Sequence, residues 1–279
     1  MSRLPHPLPP VRTSPHHAVH PALQLARPLR ESIERGHPWI YRQALKAPPD
    51  LPSGTVVDVC DRDGFVARGL YDRTSPLAVR AYTLDPSEPV DAHLVKRRIL
   101  AALAVRRWTL PGLGRETTGF RLCHGEGDRL PGIVIDVYGP VAVVITDGEA
   151  ARSLIPAVVD TLAHYASELQ ITTIYERHQR RQGHGGGLLF GTLPDLPAGE
   201  RGLHPLELVI REHGMKLLVD IENGQKTGMF LDQRENRRLV RDISRGLRVW
   251  NGFSYTGGFS VAAALGGAAR VVSVDHAPA

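Results

Sequence analysis

The pattern of hydrophobic and polar residues changes several times along the chain. Residues 1–20 are rich in proline and histidine and have no apolar period, which predicts a disordered tail. Residues 21–85 alternate short apolar segments with glycine and proline turn signals, and strands are expected at 55–60, 65–71 and 77–83. This second stretch is predicted to form a small β-barrel.

A mixed α+β domain is predicted over residues 86–195. Apolar residues recur at helical spacing over residues 91–108, and a β-hairpin is expected to turn at residues 138–140. The glycine-rich run at residues 183–187 has neither the strand before it nor the helix after it that a phosphate-binding loop needs. It is therefore predicted to be a flexible connector, and residues 194–205 are predicted to be a linker.

Residues 203–279 open with a predicted hairpin that turns at His213 and Gly214. Asp232 and Glu235 have the spacing of a capping box, which predicts a helix that runs to Arg245 and is ended by Gly246. Three apolar residues of this helix are expected to face inward, namely Leu239, Val240 and Ile243.

Residues 247–275 have the order strand, glycine loop, helix, strand and acid. The loop contains Gly252, Gly257 and Gly258, and the second strand runs into Asp275. In a doubly wound sheet, ligands bind at the carboxyl ends of such strands, and an acid near this spacing accepts hydrogen bonds from ribose hydroxyls. The order predicts the start of a Rossmann-like domain with a nucleotide-type cofactor. A purely structural strand-turn-helix unit is the alternative.

The spacing within the glycine loop disfavours two common cofactor fingerprints. A Walker loop needs a lysine and a hydroxyl where Gly258 and Phe259 stand, and the Gly-x-Gly-x-x-Gly pattern of nicotinamide sites is missing from this loop. S-adenosylmethionine needs close backbone approach without a phosphate grip. It is the remaining common cofactor.

Basic residues are unevenly distributed. The chain has 34 Lys and Arg against 29 Asp and Glu, and its calculated pI is about 9.5. The excess is concentrated in residues 96–121 and 234–248. Two basic runs favour a polyanion such as RNA, although solvated helix faces would have the same composition.

The cysteine and apolar content of the sequence argues against disulfide-rich, metal-binding and membrane-spanning proteins. The two cysteines, Cys60 and Cys123, form no CxxC motif, and no group of side chains has metal-ligand spacing, so neither a disulfide framework nor a metal site is predicted. No apolar run approaches the length of about 18 residues that crosses a bilayer. A location in a reducing cytoplasm is the simplest expectation.

An aromatic and basic motif precedes the predicted barrel strands. It runs from Arg35 through His37, Trp39 and Ile40 to Tyr41. Such rings can stack on bases while guanidinium groups hold phosphate. The alternative is that Trp39 and Ile40 fill the barrel core.

Five segments together resemble one family. They are residues 222–234 (ENGQKTGMFLDQR), 251–259 (NGFSYTGGF), 274–276 (VDH), 36–39 (GHPW) and 121–132 (RLCHGEGDRLPG). The chain resembles, from about residue 25 to its last residue, the class I S-adenosylmethionine-dependent RNA methyltransferases that carry an N-terminal PUA domain. The large-subunit (23S) rRNA cytosine-5 methyltransferases are the most similar of these.

The resemblance implies a fold, a cofactor and a set of site residues. The fold is an α/β and α+β multidomain arrangement with a PUA-like β-barrel, a central α+β domain and the start of a Rossmann-like methyltransferase domain. Residues implied to bind S-adenosylmethionine are Phe253, Ser254, Tyr255, Thr256, Gly257, Gly258, Asp275, Lys226, Thr227, Asp232, Gln233 and Arg234. Residues expected to contact RNA are Arg35, His37, Trp39, Arg97, Arg98, Arg106 and Arg107.

The same resemblance implies that the chain stops before the catalytic half of the domain. The family's catalytic residues are expected downstream of Ala279, including the cysteine that attacks the base. Cys60 and Cys123 are predicted to be small core residues, and the chain alone is expected to be inactive. The alternative is a non-catalytic RNA-binding module, and a homodimer is a further expectation.

Overall fold

The computed structural model describes residues 20–47, 50–177, 186–194 and 206–276. The predicted tail, except for its last residue, and most of the predicted linker lie outside these ranges. The described part has three sheet-containing regions that follow one another along the chain.

The N-terminal region is a five-stranded sheet with the order β1-β3-β4-β5-β2. An antiparallel bridge between Leu25 and Leu45 joins its two edges, so the sheet curls into the expected barrel. Apolar side chains at alternating positions fill its core, including Leu23, Val57 and Val59. The strands are β1 (Ala22–Gln24), β2 (Trp39–Tyr41), β3 (Val56–Asp61), β4 (Gly64–Tyr71) and β5 (Leu77–Thr83), with helix α1 at Arg30–Glu34.

Trp39 and Ile40, the two candidates for filling the barrel core, lie on opposite faces of β2. Ile40 is fully buried, whereas Trp39 is 38% exposed and points the other way, because successive side chains of a strand face opposite sides. The indole Nε1 of Trp39 donates a hydrogen bond to Glu126 at 2.9 Å. The core-plug interpretation is right for Ile40 and wrong for Trp39.

The central region is a second five-stranded sheet with the order β10-β9-β8-β7-β6. The Asp91 side chain accepts a hydrogen bond from the Leu94 amide and caps the long helix that packs on this sheet. The strands are β6 (Gly119–His124), β7 (Ile133–Tyr138), β8 (Val141–Thr146), β9 (Thr173–Arg177) and β10 (Gly186–Gly191). The helices are α2 (Ala92–Thr109), α3 (Glu149–Arg152), α4 (Ile155–His164) and α5 (Ala166–Leu169).

The glycine run that was predicted to be a flexible connector is partly a strand. Gly186 and Gly187 open β10 and pair with Arg177 and Glu176 of β9. Ladder pairing with a fully buried neighbour overrides the weak strand propensity of glycine. Residues 183–185 lie outside the described residues.

The C-terminal region begins with the expected hairpin and ends with a small parallel sheet. Apolar residues of the hairpin share a core with Tyr138 and Val143 of the central sheet. The elements are β11 (Glu207–Glu212), β12 (Met215–Asp220), α6 (Arg234–Ile243), β13 (Arg248–Gly252), α7 (Gly258–Leu265) and β14 (Arg270–Val274). Strands β13 and β14 are parallel, as the order of elements predicted.

Helix α6 differs from its prediction. It follows a 3-10 turn that contains Asp232, no side chain caps its start, and it ends at Ile243 rather than at Arg245. Glu235 pairs with His213 and Arg234 instead of closing a capping box. Leu239 and Ile243 are exposed, and Val240 is only half-buried. The buried residue of this helix is Arg237.

Within the described ranges, no helix is both long and apolar enough to span a membrane.

Candidate functional site

The glycine loop and Asp275 meet at one edge of the parallel sheet. The loop follows β13 and Asp275 follows β14, and parallel strands bring both carboxyl ends to the same side. The Tyr255 amide donates a hydrogen bond to the Asp275 carboxylate at 2.7 Å. The structure thereby brings together the loop and the acid that the sequence singled out.

The backbone of this loop is unobstructed on its outer side at Gly257. Phe253, Tyr255 and Gly257 have positive φ angles of 59°, 50° and 77°. A side chain added at Gly257 would meet nothing within 4 Å, so the outer side of the loop is open. The Ser254 amide donates to the Val274 carbonyl at 3.0 Å, which holds the loop against β14. The Phe253 ring is 94% exposed beside this opening.

Small polar side chains stabilise the floor beneath the loop. Asn251 donates to the Ser260 hydroxyl at 2.8 Å, and Ser260 and Ser273 share a hydrogen bond of 2.6 Å. These contacts join β13, α7 and β14 directly below the loop. Asn251 opens one of the segments that carry the family resemblance, whereas nothing in the sequence marks Ser260 or Ser273.

Tyr255 connects the loop to the turn at residues 225–228. Its hydroxyl accepts a hydrogen bond from the Gln225 amide at 2.7 Å and donates to the Gly228 carbonyl at 3.4 Å. Its ring packs edge-on against Phe230 with 5.7 Å between centroids. The two segments that carry most of the family resemblance are therefore neighbours in space.

Lys226 and Thr227 occupy different environments within that turn. Lys226 is exposed, and its ammonium group lies 5.6 Å from the centre of the Phe230 ring. Thr227 is 2% exposed, and its hydroxyl shares a hydrogen bond of 2.6 Å with Tyr138. Thr227 also donates to Asp136, so it anchors the turn to the central sheet.

A cleft of about 570 Å³ separates the central region from residues 226–235. Of the residues implied for the cofactor rim, Lys226, Asp232 and Arg234 line this cleft, and Gln233 accepts a hydrogen bond from Asn236 at 2.8 Å. The opposite wall is basic and is formed by Arg106, Arg121 and His124.

A buried carboxylate supports the basic wall of the cleft. Asp136 is 0% exposed and accepts hydrogen bonds of 2.8 and 2.9 Å from Arg121. This hydrogen-bonded pair raises the pKa of Arg121. Arg121 also lies 3.0 Å from His124 Nδ1. The guanidinium group is thus fixed in place at the cleft surface.

All five arginines expected to contact RNA already have partners in the protein. Arg106 forms a bidentate pair with Asp128 at 2.6 Å for both bonds, and Arg98 donates to the Tyr82 and Arg129 carbonyls. The other pairs are Arg35 with Glu31, Arg97 with Glu88, and Arg107 with Glu168. Trp39 and Tyr41 are partly exposed, and His37 packs edge-on against Trp39 at 5.7 Å.

A buried ion pair next to the glycine loop has no counterpart among the sequence predictions. Arg237 and Glu212 are paired at 2.6 Å with side chains that are 4% and 1% exposed. Arg237 belongs to a basic run that suggests a solvated face. The alternation of side chains along β11 could have indicated that Glu212 is buried, since Leu208, Ile210 and Glu212 fall on the same side of the strand.

The candidate site lacks features of a metal centre in the part of the chain that the structure covers. No three His, Cys, Asp or Glu side chains there are close enough to hold a metal ion.

Comparison with known proteins identifies two domain types. Residues 168–279 match the family model described as S-adenosylmethionine-dependent methyltransferase, and residues 23–84 match the model of a PUA-like domain. The C-terminal part of the chain is therefore similar to a methyltransferase domain of this family. Its glycine loop and Asp275 both fall inside the methyltransferase match.

Two curated proteins that are similar to this chain share one name. A protein from Escherichia coli named ribosomal RNA large subunit methyltransferase I is 38% identical over 258 residues, and a protein of the same name from Shigella boydii is 40% identical over 257 residues. Each alignment covers 91% of this chain and 62% of the relative. The chain thus spans less than two thirds of the length of these relatives.

Two solved structures share the fold of this chain. A Streptococcus mutans protein described as a SAM-dependent methyltransferase superposes with a TM-score of 0.73 at 23% identity, over 92% of this chain and 64% of that one. A second structure, of a protein described as a methyltransferase complexed with SAH, has a TM-score of 0.72 at 23% identity, over 93% and 63% of the two chains. At this identity the likeness concerns the fold.

Proposed function

We propose that the chain binds S-adenosylmethionine for the methylation of large-subunit rRNA. The observation that carries this proposal is the hydrogen bond from the Tyr255 amide to Asp275 at the carboxyl ends of two parallel strands. A carboxylate has two oxygens and about four acceptor positions, so it can accept both this amide and a ribose hydroxyl. The matched family and the named relatives supply the reaction and the substrate class.

Within this proposal the loop and the cleft have separate tasks. Residues 253–258 surround the methionine end of the cofactor, and Asp275 binds the ribose. Lys226, Asp232, Gln233 and Arg234 form the rim on the side of the cleft, while Thr227 fixes the rim to the central sheet through Tyr138. When bound, the cofactor supplies an activated methyl group. The residues of the chain hold the cofactor in position and orient its methyl group.

The proposed target atom is carbon 5 of a cytosine. That chemistry needs a thiolate that adds to the base before methyl transfer. Cys123 is buried on β6, where burial raises the pKa of its thiol to about 12. Cys60 lies on barrel strand β3, and burial raises its pKa as well. Neither cysteine fits the role of the nucleophile, so we expect binding without turnover from these residues alone.

RNA binding is assigned to the barrel and the basic wall of the cleft. The PUA-like match covers the strand that exposes Trp39 and Tyr41. Partly exposed aromatic rings can stack on unpaired bases. A protein that acts on rRNA would work in the cytoplasm.

Isothermal titration calorimetry with S-adenosylhomocysteine tests the cofactor assignment. We expect saturable one-to-one binding, with no heat from ATP or NAD at equal concentration, because the loop lacks both phosphate fingerprints. Absence of S-adenosylhomocysteine binding, or equal binding of NAD, would contradict the proposal. Transfer of a tritiated methyl group to a 23S rRNA fragment by this chain would contradict the expected lack of turnover.

A non-catalytic RNA-binding module is the second candidate, and the partly exposed Trp39 and Tyr41 favour it. Its signature is binding of rRNA fragments with an affinity that falls steeply with salt, without any binding of S-adenosylhomocysteine. A titration with S-adenosylhomocysteine and a titration with an rRNA fragment therefore separate the two candidate functions.

A further inference from the structure

A fully buried ion pair lies beside the glycine loop. The Arg237 guanidinium donates hydrogen bonds of 2.6 Å to each carboxylate oxygen of Glu212, and the two side chains are 4% and 1% exposed. Burial of two charges costs several kcal/mol per ion before they attract each other, so such a pair is weak support for stability. Its position suggests another use.

Arg237 contacts both the segment that precedes α6 and the start of α7. Its Nη2 donates to the Phe230 carbonyl at 2.9 Å, and its guanidinium carbon lies 5.9 Å from the centre of the Phe259 ring. A Cβ atom at Gly258 would stand 3.2 Å from Arg237 Cδ. Glycine at this position lets the first turn of α7 rest directly on the arginine.

These contacts continue to the proposed cofactor site. The backbone carbonyl of Phe230 accepts the hydrogen bond from Arg237, and the ring of the same residue packs edge-on against Tyr255. The Tyr255 amide in turn bonds to Asp275. A continuous set of contacts therefore runs from Glu212 through Arg237 and Phe230 to the tip of the loop.

Charge explains why the arginine needs Glu212. The amino-terminal end of a helix carries a partial positive charge, and Arg237 lies under the start of α7. An unpaired guanidinium there would be unfavourable. The Glu212 carboxylate offsets its charge and fixes the plane of its donors.

We propose that Arg237, held by Glu212, is a positioning residue that fixes the glycine loop in the conformation that binds the cofactor. The cofactor part of this inference rests on the proposed function, whereas the loop-fixing part does not. Apolar side chains of similar size would preserve packing at this point. They would lose the donor to the Phe230 carbonyl and the support under α7.

The test compares Glu212→Met/Arg237→Met and Arg237→Lys with a matched control, Arg241→Met. Arg241 lies one turn later on α6, and its Nη1 donates to the His213 carbonyl at 3.1 Å. The double variant removes both charges, so it avoids leaving one buried charge unpaired. Urea denaturation reports the stability of each variant, hydrogen exchange reports residues 251–258 without ligand, and calorimetry reports S-adenosylhomocysteine binding.

We expect exchange in residues 251–258 to become about tenfold faster in both test variants, while exchange in α2 stays unchanged. The dissociation constant for S-adenosylhomocysteine should rise about tenfold as preorganisation is lost. The control should match the wild type in both measurements.

A double variant that keeps wild-type stability but shows fast loop exchange would support positioning as distinct from a merely structural role. Wild-type exchange in residues 251–258 of the double variant would overturn the inference, whatever the ligand does. If the wild-type chain binds no S-adenosylhomocysteine, the proposed function fails, and the exchange measurement still decides the role of Arg237.

Discussion

At the glycine loop, single residues have two roles each. Asp275 accepts the Tyr255 amide at 2.7 Å, so it fixes the loop before any ligand arrives. Tyr255 contributes its amide to Asp275 and its hydroxyl to the turn at residues 225–228. A change at either residue should therefore alter both loop order and ligand affinity.

Replacement of Asp275 by Asn is expected to weaken S-adenosylhomocysteine binding by at least about tenfold. A hydrogen bond to a charged group contributes about 1.5–3 kcal/mol, and the neutral amide is the weaker acceptor. Calorimetry measures the change. Asp242→Asn is the matched control, because Asp242 is an exposed residue of α6 that lies 3.9 Å from Arg238. Equal affinity of the two variants would argue against a ligand role for Asp275.

At the scale of elements, α6 shows a helix whose buried face is polar. Arg237 is buried, whereas Leu239 and Ile243 are 58% and 60% exposed. The buried face follows the position of Glu212 on β11 rather than the apolar residues of the helix itself. Exposed apolar residues on a helix contribute little to the free energy of unfolding.

The double substitution Leu239→Ser/Ile243→Ser should therefore change the free energy of unfolding by no more than about 1 kcal/mol. Leu94→Ala on α2 is the contrasting variant, since Leu94 is 1% exposed in the central core. It should cost about 2–5 kcal/mol. Urea denaturation of both proteins checks the comparison, and a large loss from the serine variant would show that these side chains are covered in solution.

At the scale of the whole molecule, the hydroxyl groups of buried tyrosines form hydrogen bonds between the regions. The Tyr82 hydroxyl of the barrel donates to the Pro131 carbonyl of the central region at 2.6 Å. Tyr138 joins the central sheet to Thr227. Burial raises the pKa of Tyr82, Tyr138 and Cys123, in the last case to about 12.

These raised pKa values predict a loss of stability in alkali. A group whose pKa is higher in the folded state stabilises fully below its unfolded pKa, and this contribution is lost as pH rises towards the folded value. The unfolded values are about 8.5 for cysteine and about 10 for tyrosine. The free energy of unfolding should therefore be level near pH 8 and fall above about pH 9, by up to about 1.4 kcal/mol per pH unit for each group.

Urea denaturation at a series of pH values measures this slope. Tyr82→Phe removes one of these ionisable protons, so its slope above about pH 10 should be shallower by about 1.4 kcal/mol per pH unit. At pH 8 this variant should be about 1 kcal/mol less stable, because the hydrogen bond to Pro131 is lost. An unchanged slope would show that Tyr82 ionises normally in the folded protein.

Local sequence was sufficient for the order of elements around the glycine loop. Residues 247–275 encode strand, loop, helix, strand and acid through glycine placement and β-branched runs, which act over a few residues. The hairpin at His213 and Gly214 was predictable for the same reason.

Local sequence was not sufficient where partners are distant along the chain. Asp232 and Glu235 have the spacing of a capping box, yet His213 and Arg234 compete for Glu235. Trp39 and Ile40 are both apolar, so only the sheet sets which one faces the core. Arg35, Arg97, Arg98, Arg106 and Arg107 look free in the sequence, and their partners appear only in the fold.

The sequence by itself determined the barrel, the central α+β region, the glycine loop and the acid that follows it, because these depend on short-range periodicity and backbone preference. Tertiary structure alone decided that Tyr255 joins the loop to residues 225–228, that Thr227 is an anchor, and that Arg237 is buried against Glu212. The reason is physical. Burial and hydrogen bonding depend on which atoms meet in space, and these residues lie between 25 and 91 positions from the partners that fix them.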